Sequence, residues 1–161
     1  MLLWFAGGAL LAVWLVFRDP AIDHRLVIVG ALLPDAVDLP TGGPWVGHTV
    51  VASVVLLLGI MLATQGRRLL RRRLLAVPIG TFLHLVLDGA WADTDTFWWP
   101  AFGIDLGGGR LPSLERGPLV WVLEVVGLGI LVWAVRRFRL GEPERRRHFL
   151  ATGRFGRDLV D

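Results

Sequence analysis

A histidine and a carboxylate lie four residues apart in one of the most apolar parts of the sequence, the stretch GTFLHLVLD at 80–88. In an α-helix this spacing places His84 and Asp88 one turn apart on the same face, where both side chains can bind one ligand. An ionisable residue inside a membrane span costs about 2.5 to 3.5 kcal/mol on insertion scales, so the pair requires a partner or a function. The pair therefore indicates a functional site.

The composition predicts a small integral membrane protein. The 161-residue chain is 54% hydrophobic, contains eight Trp and has 19% charged residues, whereas soluble domains have about 25%. It contains no cysteine, which excludes disulfides and thiolate metal ligands, so a metal ion has to be bound by imidazole and carboxylate groups. All 17 basic residues are arginine and most flank apolar runs, which favours membrane topology over nucleic-acid binding.

Four apolar runs have about the length that a membrane span needs. They cover residues 2–17, 46–63, 74–92 and 118–135, and each has 16 to 19 residues. A fifth piece, 26–33, is too short to span and is followed by Pro34, so we expect a re-entrant or interfacial helix there. The predicted fold class is therefore all-α, an integral membrane bundle of about four transmembrane helices plus this short helix. Residues 1–140 are the predicted domain, and 141–161 are a basic, mobile cytoplasmic tail.

The distribution of arginine predicts the orientation. The 66–73 loop holds five arginines and the segment from Arg136 onward holds eight, while the other two connections hold four together. Because arginine is enriched in cytoplasmic loops, we expect the 66–73 loop and the C-terminus in the cytoplasm. Four spans then place the N-terminus in the cytoplasm as well. The predicted location is the inner (plasma) membrane, multi-pass, with membrane lipids as partners.

With that orientation, polar residues from four separate segments fall near one depth on the outer side. They are the carboxylates and imidazoles Asp35, Asp38, His48, His84, Asp88 and Glu124. Imidazole and carboxylate groups bind zinc with three protein ligands and leave one position for water. A bound metal ion makes hydrolysis by that water feasible near neutral pH. We therefore predict a divalent metal site, with zinc as the first choice and manganese as the second.

Each of these residues also has an ordinary structural explanation. His84 alone fits a hydrogen bond between helices, and Asp88 fits an ion pair with Arg110 or Arg116 of the outer loop. Asp35 fits a helix cap in a turn. Glu124 fits a structural hydrogen bond or a pair with Arg18 as well as it fits the role of a ligand. The metal site is favoured because the residues converge on one layer.

Four short motifs follow one another between about residues 20 and 105: LPDxxD at 33–38, GHT at 47–49, GxxxHxxxD at 80–88 and WWP at 98–100. Their order resembles the LexA-binding, inner membrane-associated hydrolase family, whose members are labelled membrane-bound metal-dependent hydrolases. The resemblance implies a small multi-span protein with a metal site built from these Asp and His residues. The family usually has PDxDH, whereas Asp38 lies one residue later here, and a His-Arg pair before the second motif is absent. These departures favour a single-metal or degenerate site over a multinuclear one.

Two functions are therefore predicted. The first is a metal-dependent hydrolase whose metal ligands are Asp35, His48, His84 and Asp88. Asp38 and Glu124 are its predicted catalytic residues, with Asp38 acting as a base or as the acceptor behind a ligand histidine. Its substrate is an ester or phosphoester, derived from a lipid or envelope precursor, at the extracytoplasmic face. The alternative is a non-catalytic membrane scaffold or partner-binding protein with a structural or degenerate polar or metal site.

Overall fold

The computed structural model describes residues 1–19, 21–41, 43–104 and 117–156, and the regular structure in these ranges is helical, without strands. The α-helices there are α1 Leu2–Phe17, α2 His24–Asp38, α3 Val50–Ala63, α4 Arg68–Leu74, α5 Ala76–Leu87, α6 Thr94–Phe97, α7 Leu119–Arg137 and α8 Pro143–Thr152. Short 3-10 helices lie at Leu39–Thr41, Val46–His48 and Ala90–Ala92. The predicted all-α fold class is confirmed.

Helix length supports fewer membrane spans than the apolar runs predict. In the described part of the chain, α7 alone is long and apolar enough to cross a membrane, and only 11% of its most apolar window is buried. Helices α1 and α3 are apolar but have 16 and 14 residues. By this measure the described residues contain one candidate span, so a bundle of four spans is not established.

The long helices run between two ends of the bundle. Helices α1 and α7 are parallel, because the Leu3 N–H donates to Glu124 near the start of α7, and Trp14 contacts Phe138 just after its end. Helices α2 and α5 run side by side in the opposite direction, and α3 returns beside α5. We call residues 1–5, 35–48 and 84–97 the site end, and residues 18–25, 67–75 and 136–156 the basic end.

Helix α2 is longer than the predicted short helix because Pro34 lies inside it. A proline at this position cannot donate to the carbonyl of Gly30, four residues earlier. The Thr81 hydroxyl of α5 lies 3.2 Å from that carbonyl and 3.1 Å from the Val77 carbonyl of its own helix, so its one proton is shared between the two. The helix therefore continues through Pro34 and carries Asp35 and Asp38 on its last turn.

All arginines of the described residues lie at the basic end. They are Arg18, Arg25, Arg67, Arg68, Arg71, Arg72, Arg73, Arg136, Arg137, Arg139, Arg145, Arg146, Arg147 and Arg154. The start of α1 lies at the site end, whereas the chain reaches Gly156 at the basic end. Residues 1 and 156 therefore lie at opposite ends of the bundle, and the side of a membrane that each terminus faces stays a prediction.

The C-terminal segment packs against the start of α2. The ring of Phe155 is buried and stacks on Phe138, with 3.6 Å between ring centroids. The His24 N–H donates to the Gly153 carbonyl at 2.8 Å, and the Arg25 guanidinium donates to the last carbonyls of α8. Where the sequence predicts a mobile tail, the structure thus shows a helix and a buried aromatic ring.

A buried carboxylate holds this junction together. Asp23 is 1% exposed and accepts hydrogen bonds from Arg25 at 3.0 and 3.1 Å and from Arg73 at 2.8 Å. Burial alone would raise the pKa of Asp23, but the two guanidinium groups outweigh it and hold the pKa below its usual value. The ionised carboxylate therefore joins α2, the α4–α5 segment and, through Arg25, α8.

We expect Asp23→Asn to lower the unfolding free energy by about 2 kcal/mol, because the buried side chain loses the charge that strengthens its three hydrogen bonds from Arg25 and Arg73. Thermal unfolding of the purified protein measures this loss. The matched control is Asp19→Asn, whose ion pair with Arg72 is exposed and should contribute less than about 0.5 kcal/mol. Equal losses in the two variants would contradict a special role for the buried junction.

Candidate metal centre

Two glycines allow α2 and α5 to approach until their backbones are in contact. A Cβ atom on Gly30 would lie 2.1 Å from the Val77 carbonyl oxygen, and one on Gly80 would lie 2.1 Å from that of Val27. Neither position therefore accommodates a side chain at the present helix separation. One turn beyond Gly80, the same close packing holds His84 against α2.

His84 is fully buried and is oriented by the backbone of α2. Its Nδ1 lies 2.7 Å from the Ala31 carbonyl oxygen, and the Phe5 ring covers it with 3.9 Å between centroids. A carbonyl oxygen can only accept, so Nδ1 bears the proton, and Nε2 of the neutral ring presents a lone pair. The hydrogen-bond network thus assigns the tautomer that a metal ligand needs.

His48 is oriented in the same way, by Asp38. Its Nδ1 lies 2.7 Å from Asp38 Oδ2, and the same carboxylate accepts the backbone N–H groups of Trp45 at 2.8 Å and Gly47 at 2.9 Å. Three donors favour the ionised carboxylate, which can only accept. The His48 Nδ1 therefore donates, and in the neutral ring its Nε2 also presents a lone pair.

The two free imidazole nitrogens point at each other. His48 Nε2 and His84 Nε2 are 3.3 Å apart, and Asp35 Oδ1 lies 3.6 Å from each. When both rings are neutral, these nitrogens carry two lone pairs, which cannot share a hydrogen bond, and the buried Asp35 Oδ1 has no hydrogen-bond partner among the described residues. A cation between these atoms would satisfy all three. This buried group can hold a metal ion.

The separations of these atoms fit a small tetrahedral ion. Ligands at about 2.0 to 2.1 Å from a tetrahedral zinc ion lie about 3.3 to 3.4 Å from one another. The distances between Asp35, His48 and His84 are 3.3 and 3.6 Å. Asp88 Oδ2 is 3.8 Å from His48 Nε2 and lies outside the group of three. Two imidazoles also distinguish this donor set from the all-oxygen sites of Ca²⁺ and Mg²⁺.

Neither predicted catalytic residue lies in the ligand group, but Asp38 has the position of the acceptor behind a ligand histidine, one of its two predicted roles. Asp38 lies behind His48, and its three hydrogen bonds occupy the oxygens that a general base would use. Glu124 accepts a hydrogen bond from the Leu3 N–H at 3.0 Å, at the start of α1, and lies outside the ligand group. Arg110 and Arg116, the predicted partners of Asp88, lie outside the described residues.

Several residues that shape the site could not be recognised from the sequence. The Ala31 carbonyl, the Phe5 ring and the backbone contact at Gly30 act through positions that look like ordinary apolar helix residues. Gly47 also shapes the site, since a Cβ there would lie 2.8 Å from Asp38 Oδ1. Gly47 and Gly80 could have been identified from the sequence as residues that shape the site. Gly47 directly precedes His48, and Gly80 lies one helical turn before His84.

No protein-family model, curated protein or solved structure matches this chain. The resemblance to the inner membrane-associated hydrolases therefore stays an expectation based on four motifs. Function is therefore inferred from the geometry of the site.

We expect Asp38→Asn to weaken metal binding about 10- to 100-fold, because the neutral amide replaces the acceptor that fixes the His48 ring. Competition with a chromophoric chelator measures the affinity of the purified protein for Zn²⁺. The control is Asp95→Asn, an exposed acid on α6, which should bind Zn²⁺ as the wild type does. Unchanged Zn²⁺ affinity in Asp38→Asn would mean that the Asp38 carboxylate does not contribute to metal binding.

Proposed function

We propose that this chain is a membrane-embedded, metal-dependent hydrolase with one divalent ion bound by Asp35, His48 and His84. Zinc is the first choice and manganese the second. The observation that carries the proposal is the pair of facing Nε2 atoms, whose rings are both oriented by acceptors at Nδ1. Two rings fixed in this tautomer with their lone pairs together are expected of a metal site and disfavoured in a packing contact.

The side chains around the ion divide into those that orient and those that react. The metal would polarise a carbonyl or phosphoryl oxygen and make attack by water feasible near neutral pH. Asp38 and the Ala31 carbonyl keep the two imidazoles in place. Asp35, 18% exposed, lies on the side from which substrate enters. Asp88, 3.8 Å from His48, would serve as a fourth ligand or, with water in that place, as the acceptor of its proton.

Charge and apolar exposure support a position in the inner (plasma) membrane. Large apolar side chains are exposed along α3 and α7, including Val55, Leu58, Trp121 and Val125. Because cytoplasmic segments are rich in arginine, the basic end is proposed to face the cytoplasm and the metal centre the extracytoplasmic side. The alternating helices then cross the membrane five times, with α2, α3 and α5 as short spans in a locally thin bilayer.

The substrate is proposed to be an ester or phosphoester of a lipid or envelope precursor. Trp45, Trp91, Trp98 and Phe102, all at or beside the site end, are exposed. Aromatic residues at such an end favour the membrane interface, where amphiphiles present their polar groups. A hydrolytic site at this depth meets lipid head groups before it meets soluble solutes.

Hydrolysis of a chromogenic phosphodiester and a chromogenic carboxylic ester tests the proposal. We expect the zinc-loaded protein in detergent to cleave at least one, to lose this activity to a chelator and to regain it with Zn²⁺ or Mn²⁺. The double variant His48→Ala, His84→Ala should be inactive under all conditions. Full activity after complete removal of metal would overturn the proposal.

The burial of the site supports a second candidate function, a non-catalytic membrane scaffold with a structural metal ion. His48, His84 and Asp88 are each at most 1% exposed, and structural metal sites have four protein ligands and no open position. In that case Zn²⁺ should raise the thermal stability of the protein while neither substrate is cleaved. The two measurements on one sample therefore distinguish an enzyme from a metal-stabilised scaffold.

A further inference from the structure

A cavity lies between α3 and α5, away from the metal ligands. Its volume is ≈ 340 Å³, and its apolar wall is formed by Val54, Leu57, Leu75, Pro78, Ile79 and Phe82. Ser53 adds one hydroxyl, and no charged residue of the described chain lines it. We call this cavity the α3–α5 cleft. Its lining suits a hydrocarbon chain and excludes an ionic ligand.

The hydroxyl of Ser53 is the one polar feature of the cleft. Ser53 is 5% exposed, and its Oγ has no hydrogen-bond partner among the described residues. Buried hydroxyls are normally hydrogen-bonded, and a helical serine usually donates to a carbonyl of the preceding turn. Ser53 is also the first cleft residue along α3, five residues after His48. The unsatisfied donor therefore lies at the part of the cleft nearest the site end.

The cleft is continuous with the apolar exterior and is aligned with the bundle. Along α5 it extends from Leu75 to Phe82, which is about 10 Å of helix, and Phe82 lies two residues before His84. Val54 and Phe82 are 47% and 46% exposed, so the cleft opens sideways onto the apolar surface of α3 and α5. A chain entering from the lipid would stay in apolar surroundings with its polar end toward the metal centre.

We propose that the α3–α5 cleft binds one acyl chain of a lipid-like ester, with the Ser53 hydroxyl donating to an oxygen at the head of that chain. The inference rests on the proposed function and narrows its substrate to an acylated amphiphile. The chain lies parallel to α5, and its head group is directed toward Asp35, His48 and His84. Substrates with short chains leave the cleft empty and bind more weakly.

Binding of nitroxide-labelled stearic acid to the zinc-loaded protein in detergent tests the cleft without relying on turnover. Electron paramagnetic resonance should show a saturable immobilised component of about one label per chain, displaced by an unlabelled long-chain ester. Ser53→Phe and Leu57→Trp fill the cleft and should each reduce this component at least tenfold. Leu58→Trp, an exposed position on the same helix, should retain it.

Zinc content measured on the same samples separates this inference from the proposed function. Cleft variants that keep one zinc per chain but lose the saturable component support the cleft. A wild type with bound zinc and no saturable component overturns the cleft and leaves the metal site intact. Saturable binding to a wild type that takes up no zinc overturns the metal site instead. Because Ser53→Ala barely changes the volume, it should fold and weaken binding several-fold, and unchanged affinity would exclude the hydroxyl's role.

Discussion

Replacing His84 by alanine should reduce zinc binding by more than about 100-fold, because the loss of a ligand exceeds the 10- to 100-fold loss expected for an outer partner. The variant also leaves His48 Nε2 and the buried Asp35 Oδ1 without the third donor. Metal analysis after gel filtration should find about one zinc per wild-type chain and close to none in His84→Ala. The matched control is His148→Ala, an exposed histidine on α8 at the basic end.

Stability provides an independent measure of the same binding. A ligand that binds only the folded state adds about 2.7 kcal/mol at 100 times its dissociation constant. Zinc should therefore raise the melting temperature of the wild type and of His148→Ala, and leave that of His84→Ala unchanged. An equal rise in all three proteins would mean that zinc binds elsewhere, and the proposed ligand set would be wrong.

Substitution of Gly80 by alanine should destabilise the protein by more than about 3 kcal/mol and also abolish metal binding. The new Cβ would lie 2.1 Å from the Val27 carbonyl oxygen, which is rigid backbone, so α2 and α5 have to separate. Separation moves the Ala31 carbonyl away from His84 and Asp35 away from both imidazoles. Thermal unfolding and zinc content, measured on one preparation, report the two effects.

Gly59→Ala is the control for this substitution. Gly59 lies inside α3, and a Cβ there would have no atom within 4 Å. Alanine should therefore stabilise that helix by about 0.5 to 1 kcal/mol. If Gly80→Ala melts at the wild-type temperature with its zinc retained, the backbone contact does not position the site.

The sequence allowed the prediction of an all-helical chain and of Asp35, His48 and His84, which meet at the site, with Asp88 3.8 Å from His48. Asp35, His48, His84 and Asp88 stand out because charged and imidazole groups are costly in apolar segments. Their closeness follows from the alternation of helices between two ends. The role of Asp38 was open, since only the folded 39–48 segment brings the Trp45 and Gly47 amides to its carboxylate.

Two parts of the topology could not be predicted, because each depends on contacts between distant residues. The expectation that α2 stops before Pro34 was reasonable locally, since the compensating hydroxyl of Thr81 lies 51 residues from the carbonyl it satisfies. The orientation of the two termini was predicted from a count of spans, and that count changes if α2, which runs through Pro34, also crosses the membrane. Glu124 was likewise assigned to the site from its depth, whereas its partner is the backbone of α1.

The hydrogen bond from Thr81 to the Gly30 carbonyl has a consequence for the order of folding. The last turn of α2 carries Asp35 and Asp38, and its local hydrogen-bond ladder is incomplete at Pro34. That turn is synthesised before α5, so its full set of backbone partners exists only after residue 81 has emerged and packed against it. We therefore expect the helical pair α2–α5 to form as one unit, with Asp35 reaching its final position only once His84, which it faces, is also in place.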